Sequence, residues 1–230
     1  MSDPIMMTRR SSKKIPALII HAIVFYAFWA CWALIIRPPI KEAMNGSLVF
    51  ALLSSCFKLL VWTFPALLLV KHFEPEMQVG LKQMFTNKVP LTWVLIWSLI
   101  FILLSSRGLV SGIMHGTLHI NPDFWKPASV YLLAVGISEE AVFRGWMLNA
   151  TAKHEKDWKM IALNAVMFLC IHFAGWIQKG RFVGAFTGFG FLTILLFSAV
   201  VSICFLKHKN LLLPVFLHML YDFMLDFFAA

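Results

Sequence analysis

Seven apolar runs, at roughly 16–36, 48–70, 89–106, 127–149, 158–177, 183–206 and 211–229, each approach the length an α-helix needs to cross a hydrocarbon core, about 20 residues. That pattern leaves little room for any soluble fold. The predicted class is all-α, a polytopic transmembrane helix bundle of about seven to eight spans, and residues 1–230 read as a single integral membrane domain. Composition agrees: 60% of the residues are hydrophobic and 13% charged, with a mean hydropathy of +0.79. No long polar stretch or internal repeat marks a second domain. The basic opening MSDPIMMTRRSSKK runs into an apolar stretch without a small-residue cleavage site, so that stretch reads as a first membrane helix rather than a signal peptide. All four cysteines, Cys31, Cys56, Cys170 and Cys204, lie inside apolar runs and behave as small hydrophobes.

Lysine and arginine in the connections indicate orientation, because positive residues are retained on the cytoplasmic side. With seven alternating spans, one set of segments, from Arg9 to Lys209, holds twelve of them and the other, from Arg37 to Arg181, holds six. The N-terminus is therefore predicted cytoplasmic, in a multi-pass cell-membrane protein. The net charge of +9 then needs no nucleic acid to explain it, since anionic headgroups of the lipid bilayer meet most of the excess. Two connections are long enough to hide structure. In KHFEPEMQVGLKQMFTNK, Leu81, Met84 and Phe85 recur at helical spacing and predict an interfacial helix. The apolar, glycine-containing RGLVSGIMHGTLHINPDFWK predicts a re-entrant segment or an eighth helix. Trp125, Trp158 and Trp176 flank spans, as interface residues do. Gly184 and Gly188 form a small-xxx-small pair expected to let helices approach.

Ionisable residues inside the runs carry the functional information. A charge at the bilayer centre costs about 2.5 to 3.5 kcal/mol on insertion scales, so such groups must be paired, neutralised or set around a wet cavity. His21 and Lys58 stand alone on their helices and are expected to snorkel toward an interface; Asp226 lies near the chain end and is expected to be exposed. Six others fall into helical register. In ISEEAVFRGW, Glu140 and Arg144 are four apart, acid first, which predicts an ion pair on one face. Glu139 is rotated by about 100° from Glu140 and has no partner on its own helix. In FLCIH, His172 follows Phe168 by one turn, and in HMLYD, His218 and Asp222 are again four apart.

A carboxylate without a partner in apolar surroundings suits general acid and base work, and a histidine beside it can share a water. Glu139 with His172 fits that description. His218 and Asp222 are placed to meet the oxyanion formed when such a water attacks a carbonyl. On spacing alone, a hydrolase site and a proton-coupled transporter are equally open, since transporters also keep Glu, His and Asp in their interiors.

These three stretches, EEAVFR, FLCIH and HMLYD, resemble the ordered motifs EExxxR, FxxxH and HxxxN/D of the CPBP family, the CAAX proteases and bacteriocin-processing intramembrane proteins related to Rce1. The resemblance covers roughly residues 127–228. It implies a helical intramembrane endopeptidase of the glutamate type, acting on a membrane-associated peptide or protein. It places the catalytic glutamate on Glu139, the water-sharing histidine on His172, the structural pair on Glu140 and Arg144, and the oxyanion-side groups on His218 and Asp222. Related members commonly carry asparagine at the last position, a neutral donor. Asp222 donates only when protonated, and otherwise accepts and orients His218.

Rival chemistries leave weaker marks. HExxH is absent from the sequence, and no cofactor is expected, although Glu139, His172 and His218 would satisfy a three-ligand zinc count. His115 and His119, four apart on the long connection, read as solvated rather than metal-bound. Tyr221 and Asp222 have no companion GxGD, and Ser138 in GIS sits within a helix, which disfavours a serine nucleophile. A non-proteolytic role, as a bacteriocin-immunity or scaffold protein, is the competing reading of the same bundle.

Overall fold

Helix is the form that satisfies backbone groups inside an apolar run without outside partners, and each of the seven runs carries it. The computed structural model describes residues 4–121, 124 and 128–229; Trp125 and Lys126 lie outside them. α1 comprises Pro4–Cys31, a π-helical turn Trp32–Ile36 and Arg37–Ala43. α2 comprises Leu48–Lys58, a π turn Leu59–Thr63 and Phe64–His72. α3 is Leu81–Thr86 and α4 is Leu91–His115. α5 begins as Ala128–Glu140, widens into a π-helical segment Ala141–Leu148 and closes as Asn149–Thr151. Trp158–Gln178, Phe182–Thr187, Gly190–His208 and Leu212–Phe227 follow as α6 to α9.

The two π turns on α1 and α2 have a sequence cause. Proline offers no N–H and clashes with the carbonyl one turn back. Ahead of Pro38 and Pro39 the chain shifts to a wider turn, in which the Arg37 N–H reaches the Trp32 carbonyl. Ahead of Pro65, the Phe64 N–H reaches the Leu59 carbonyl in the same way. The longer π segment on α5 contains no proline. It is instead supported from outside, where Asn164 Nδ2 donates to the Phe143 carbonyl at 2.9 Å and Ser202 Oγ donates to Asn164 Oδ1 at 3.3 Å.

Among the described residues, four helices are long and apolar enough to cross a membrane: Lys13–Ala43, Leu48–His72, Trp158–Gln178 and Gly190–His208, with Leu91–Ser106 shorter but apolar. The expected count of seven to eight is thus met in part, for local reasons. The run at 183–206 breaks where Phe189 takes a left-handed φ of 59° between α7 and α8. The last run forms a helix of 16 residues, about 24 Å long. The run at 127–149 carries three charged residues, Glu139, Glu140 and Arg144, which lower its apolar character. In the long connection no separate eighth helix forms among the described residues; α4 continues to His115, Gly116 caps it at φ 65°, and His119–Ile120 (β1) pairs antiparallel with Phe228–Ala229 (β2). The expected interfacial helix exists as α3, but of its apolar residues Met84 is fully buried, Leu81 partly so and Phe85 exposed, so it docks on the protein.

α5 occupies the middle of the bundle, packed against α2 and α9, while α6 packs along α8 and α4 along α9. One apolar core joins these helices through Trp62, Phe143, Trp146, Phe168, Phe197 and Leu217. Outward rows such as Leu91, Leu95, Leu99 and Leu103 remain exposed, as suits a lipid-facing surface. The Gly184 and Gly188 pair does not serve close packing: a Cβ on Gly184 would meet nothing within 4 Å, and one on Gly188 would meet the Gly184 carbonyl. The close approach occurs at Gly136, where a Cβ would stand 2.9 Å from Met219 Cγ of α9.

Candidate active site

That contact at Gly136 draws α9 onto α5 one turn before the paired glutamates, and His218 arrives beside both. His218 Nδ1 lies 2.7 Å from Glu140 Oε1. A carboxylate only accepts, so Nδ1 donates, and Nε2 carries a proton only in the imidazolium form. Nε2 faces two further carboxylates, Glu139 Oε2 at 3.9 Å and Asp222 Oδ2 at 3.5 Å. Glu139, Glu140 and His218 are all buried.

The predicted pair of Glu140 and Arg144 forms, with Arg144 Nη1 donating to Glu140 Oε1 at 3.0 Å and both side chains fully inaccessible. Nη2 donates to the Ser198 carbonyl at 2.9 Å and to Ser198 Oγ at 2.7 Å, which ties α5 to α8. The guanidinium lies 4.7 Å over the Phe168 ring, within the range of a cation–π contact. Glu140 Oε2 and Arg144 Nε have no hydrogen-bond partner among the described residues.

His172 sits on α6, where its Nδ1 donates to the Phe168 carbonyl at 3.1 Å. In the neutral ring that leaves Nε2 as the acceptor. It lies within electrostatic reach of Glu139, and among the described residues no direct hydrogen bond joins the two. Phe168 is the common wall, with its ring 5.3 Å from His172 and 5.9 Å from His218. Asp157, outside the spans, holds the start of α6 by accepting from the Lys153 N–H at 3.0 Å and the Met160 N–H at 3.4 Å; these bonds, the Lys153 one foremost, keep its carboxyl below the usual value.

Two expectations are corrected here. Glu139 does have a partner: Lys58 Nζ donates to its Oε1 at 2.7 Å. Lys58 does not snorkel, being only 2% exposed. It stands about 15 Å along α2 from the start of the helix, too deep for its stem to reach an interface. Its ammonium lies 4.3 Å from the Trp62 ring and 5.2 Å from that of Trp29. The zinc alternative finds no gathered ligand set, since no group of three or more His, Cys, Asp or Glu able to hold a metal occurs among the described residues. His218 turns Nδ1 to Glu140 and an ammonium covers Glu139 Oε1. His115 and His119 do not share a helical face, because α4 ends between them at Gly116. Ser138 Oγ bonds to the Ala134 carbonyl of its own helix at 2.6 Å.

The family model described as type II CAAX prenyl endopeptidase Rce1-like matches residues 121–224, a segment that includes Glu139, Glu140, Arg144, His172, His218 and Asp222. Over those residues the chain is similar to that family, which is a family of peptidases. No curated protein and no solved structure matches the chain. Lys58 falls outside the matched segment.

Proposed function

We propose that the chain is an intramembrane endopeptidase in which Glu139 and His172 activate a water for attack on a peptide bond of a membrane-associated protein or peptide. The observation that carries this reading is the convergence of Glu139, Glu140 and His218 from α5 and α9 in the buried centre of the bundle, within the segment matched to a peptidase family. In the proposed reaction, the water gives a proton to Glu139 while His172 Nε2 accepts its other hydrogen bond. Oxygen attacks the carbonyl carbon, and the developing oxyanion is met by His218 carrying a proton on Nε2, with Asp222 accepting beside it. Collapse of the tetrahedral intermediate breaks the C–N bond, and the proton held by Glu139 passes to the leaving amine. Glu140 and Arg144 hold His218 Nδ1 and the turn of α5 in place.

The whole chain is read as one membrane domain of seven spans with a cytoplasmic N-terminus, on hydropathy and on the distribution of lysine and arginine. The test of function is a comparison of new protein termini in membranes carrying the wild type or Glu139→Gln at matched expression. Termini dependent on the wild type are expected. Identical profiles would overturn the reading and favour an immunity or scaffold role.

A further inference from the structure

A lysine in the middle of an apolar helix is expensive unless its charge is met, and α2 carries one 81 residues before the acid that meets it. Resting on the peptidase reading above, we infer that Lys58 is a positioning residue for Glu139: its ammonium holds Oε1 and leaves Oε2 as the oxygen that handles the water. Oε1 lies 2.7 Å from Lys58 Nζ, whereas Oε2 is the oxygen on the side of His218 Nε2, 3.9 Å away. A charge-assisted bond of that length fixes the carboxylate plane more firmly than a neutral one.

The ammonium is itself held by a built surround. Trp29 and Trp62 offer it their ring faces and meet each other edge to face at 4.8 Å. Trp29 Nε1 donates to the carbonyl of Ile171 at 2.7 Å, the residue before His172, and Tyr26 on the same helix donates to the Met167 carbonyl at 2.6 Å. One chain of contacts thus runs from His172 through α1 to Lys58 and on to Glu139, coupling the positions of the two water-handling groups. The π turn that begins at Leu59 follows Lys58 directly. The first two helices, outside the matched segment, thereby complete the catalytic wall.

The experiment takes a substrate whose new terminus vanishes in Glu139→Gln and measures kcat and KM for the full chain in membranes, with thermal unfolding alongside. Lys58→Met is expected to lower kcat by about 100-fold, the scale of a misplaced reacting group, with KM little changed. Lys58→Arg, which keeps a charged donor, is expected to recover most of that loss. A folded Lys58→Met with wild-type kcat overturns the inference, as does a folded Lys58→Arg that is as inactive as Glu139→Gln. Should Lys58→Met fail to fold, Lys58→Arg decides by the same criterion, activity supporting the inference. Termini unchanged by Glu139→Gln would overturn the peptidase reading and this inference with it, whereas loss in Glu139→Gln with full activity in Lys58→Met overturns this inference alone.

Discussion

Glu139 and Glu140 are chain neighbours with different partners. Glu140 shares one oxygen between Arg144 and His218, and Glu139 divides its two oxygens between Lys58 and the histidine side. Arg144→Ala would leave Glu140 buried without its guanidinium partner, a loss of about 3 to 5 kcal/mol where such pairs are fully desolvated. Thermal unfolding is expected to fall well below that of Glu139→Gln, and equal stability in the two variants would contradict a structural role for the pair. The Glu140 pair was legible in the sequence because four residues of helix impose it. The partner of Glu139 was not, because no local spacing links residue 58 to residue 139. The signal that existed was one of charge: a cation too deep to snorkel and an acid without a local partner were the two halves of one pair.

At the scale of elements, the site depends on how closely α9 approaches α5, and Gly136 sets that distance. Gly136→Leu would force Met219 and the Val215 carbonyl away. Overpacking of this kind costs about 1 to 3 kcal/mol, and it is expected to weaken cleavage as His218 is carried off. Gly184→Ala, with open space at its Cβ, is expected to leave unfolding unchanged; chemical denaturation of both variants checks the contrast. Hydropathy located helix within each apolar run, since apolar length is a local property, but not the break at Phe189 that divides the run at 183–206. It did not locate the π turns, which arise from prolines at 38, 39 and 65 acting on the residues before them, or from Asn164 on another helix. It also assigned close packing to the wrong glycines, because which small residue meets a neighbour depends on tertiary register.

For the whole molecule, the matched segment supplies the acids and histidines while the N-terminal helices supply the ammonium and its aromatic wall. The proposed orientation can be tested by labelling: single cysteines at Thr86 and Lys179 in a cysteine-free chain are expected to label from opposite sides of the membrane, Thr86 from the cytoplasm. Labelling of both from one side would contradict the seven-span topology. The proposed role of Glu139 is to activate water for peptide hydrolysis. The most direct measurement is cleavage of a peptide spanning the identified terminus by the purified chain in lipid vesicles, wild type against Glu139→Gln. Cleavage by the wild type is expected, with a loss of at least about 100-fold in the variant, the scale of a missing general base. Equal rates in folded wild type and variant would contradict it.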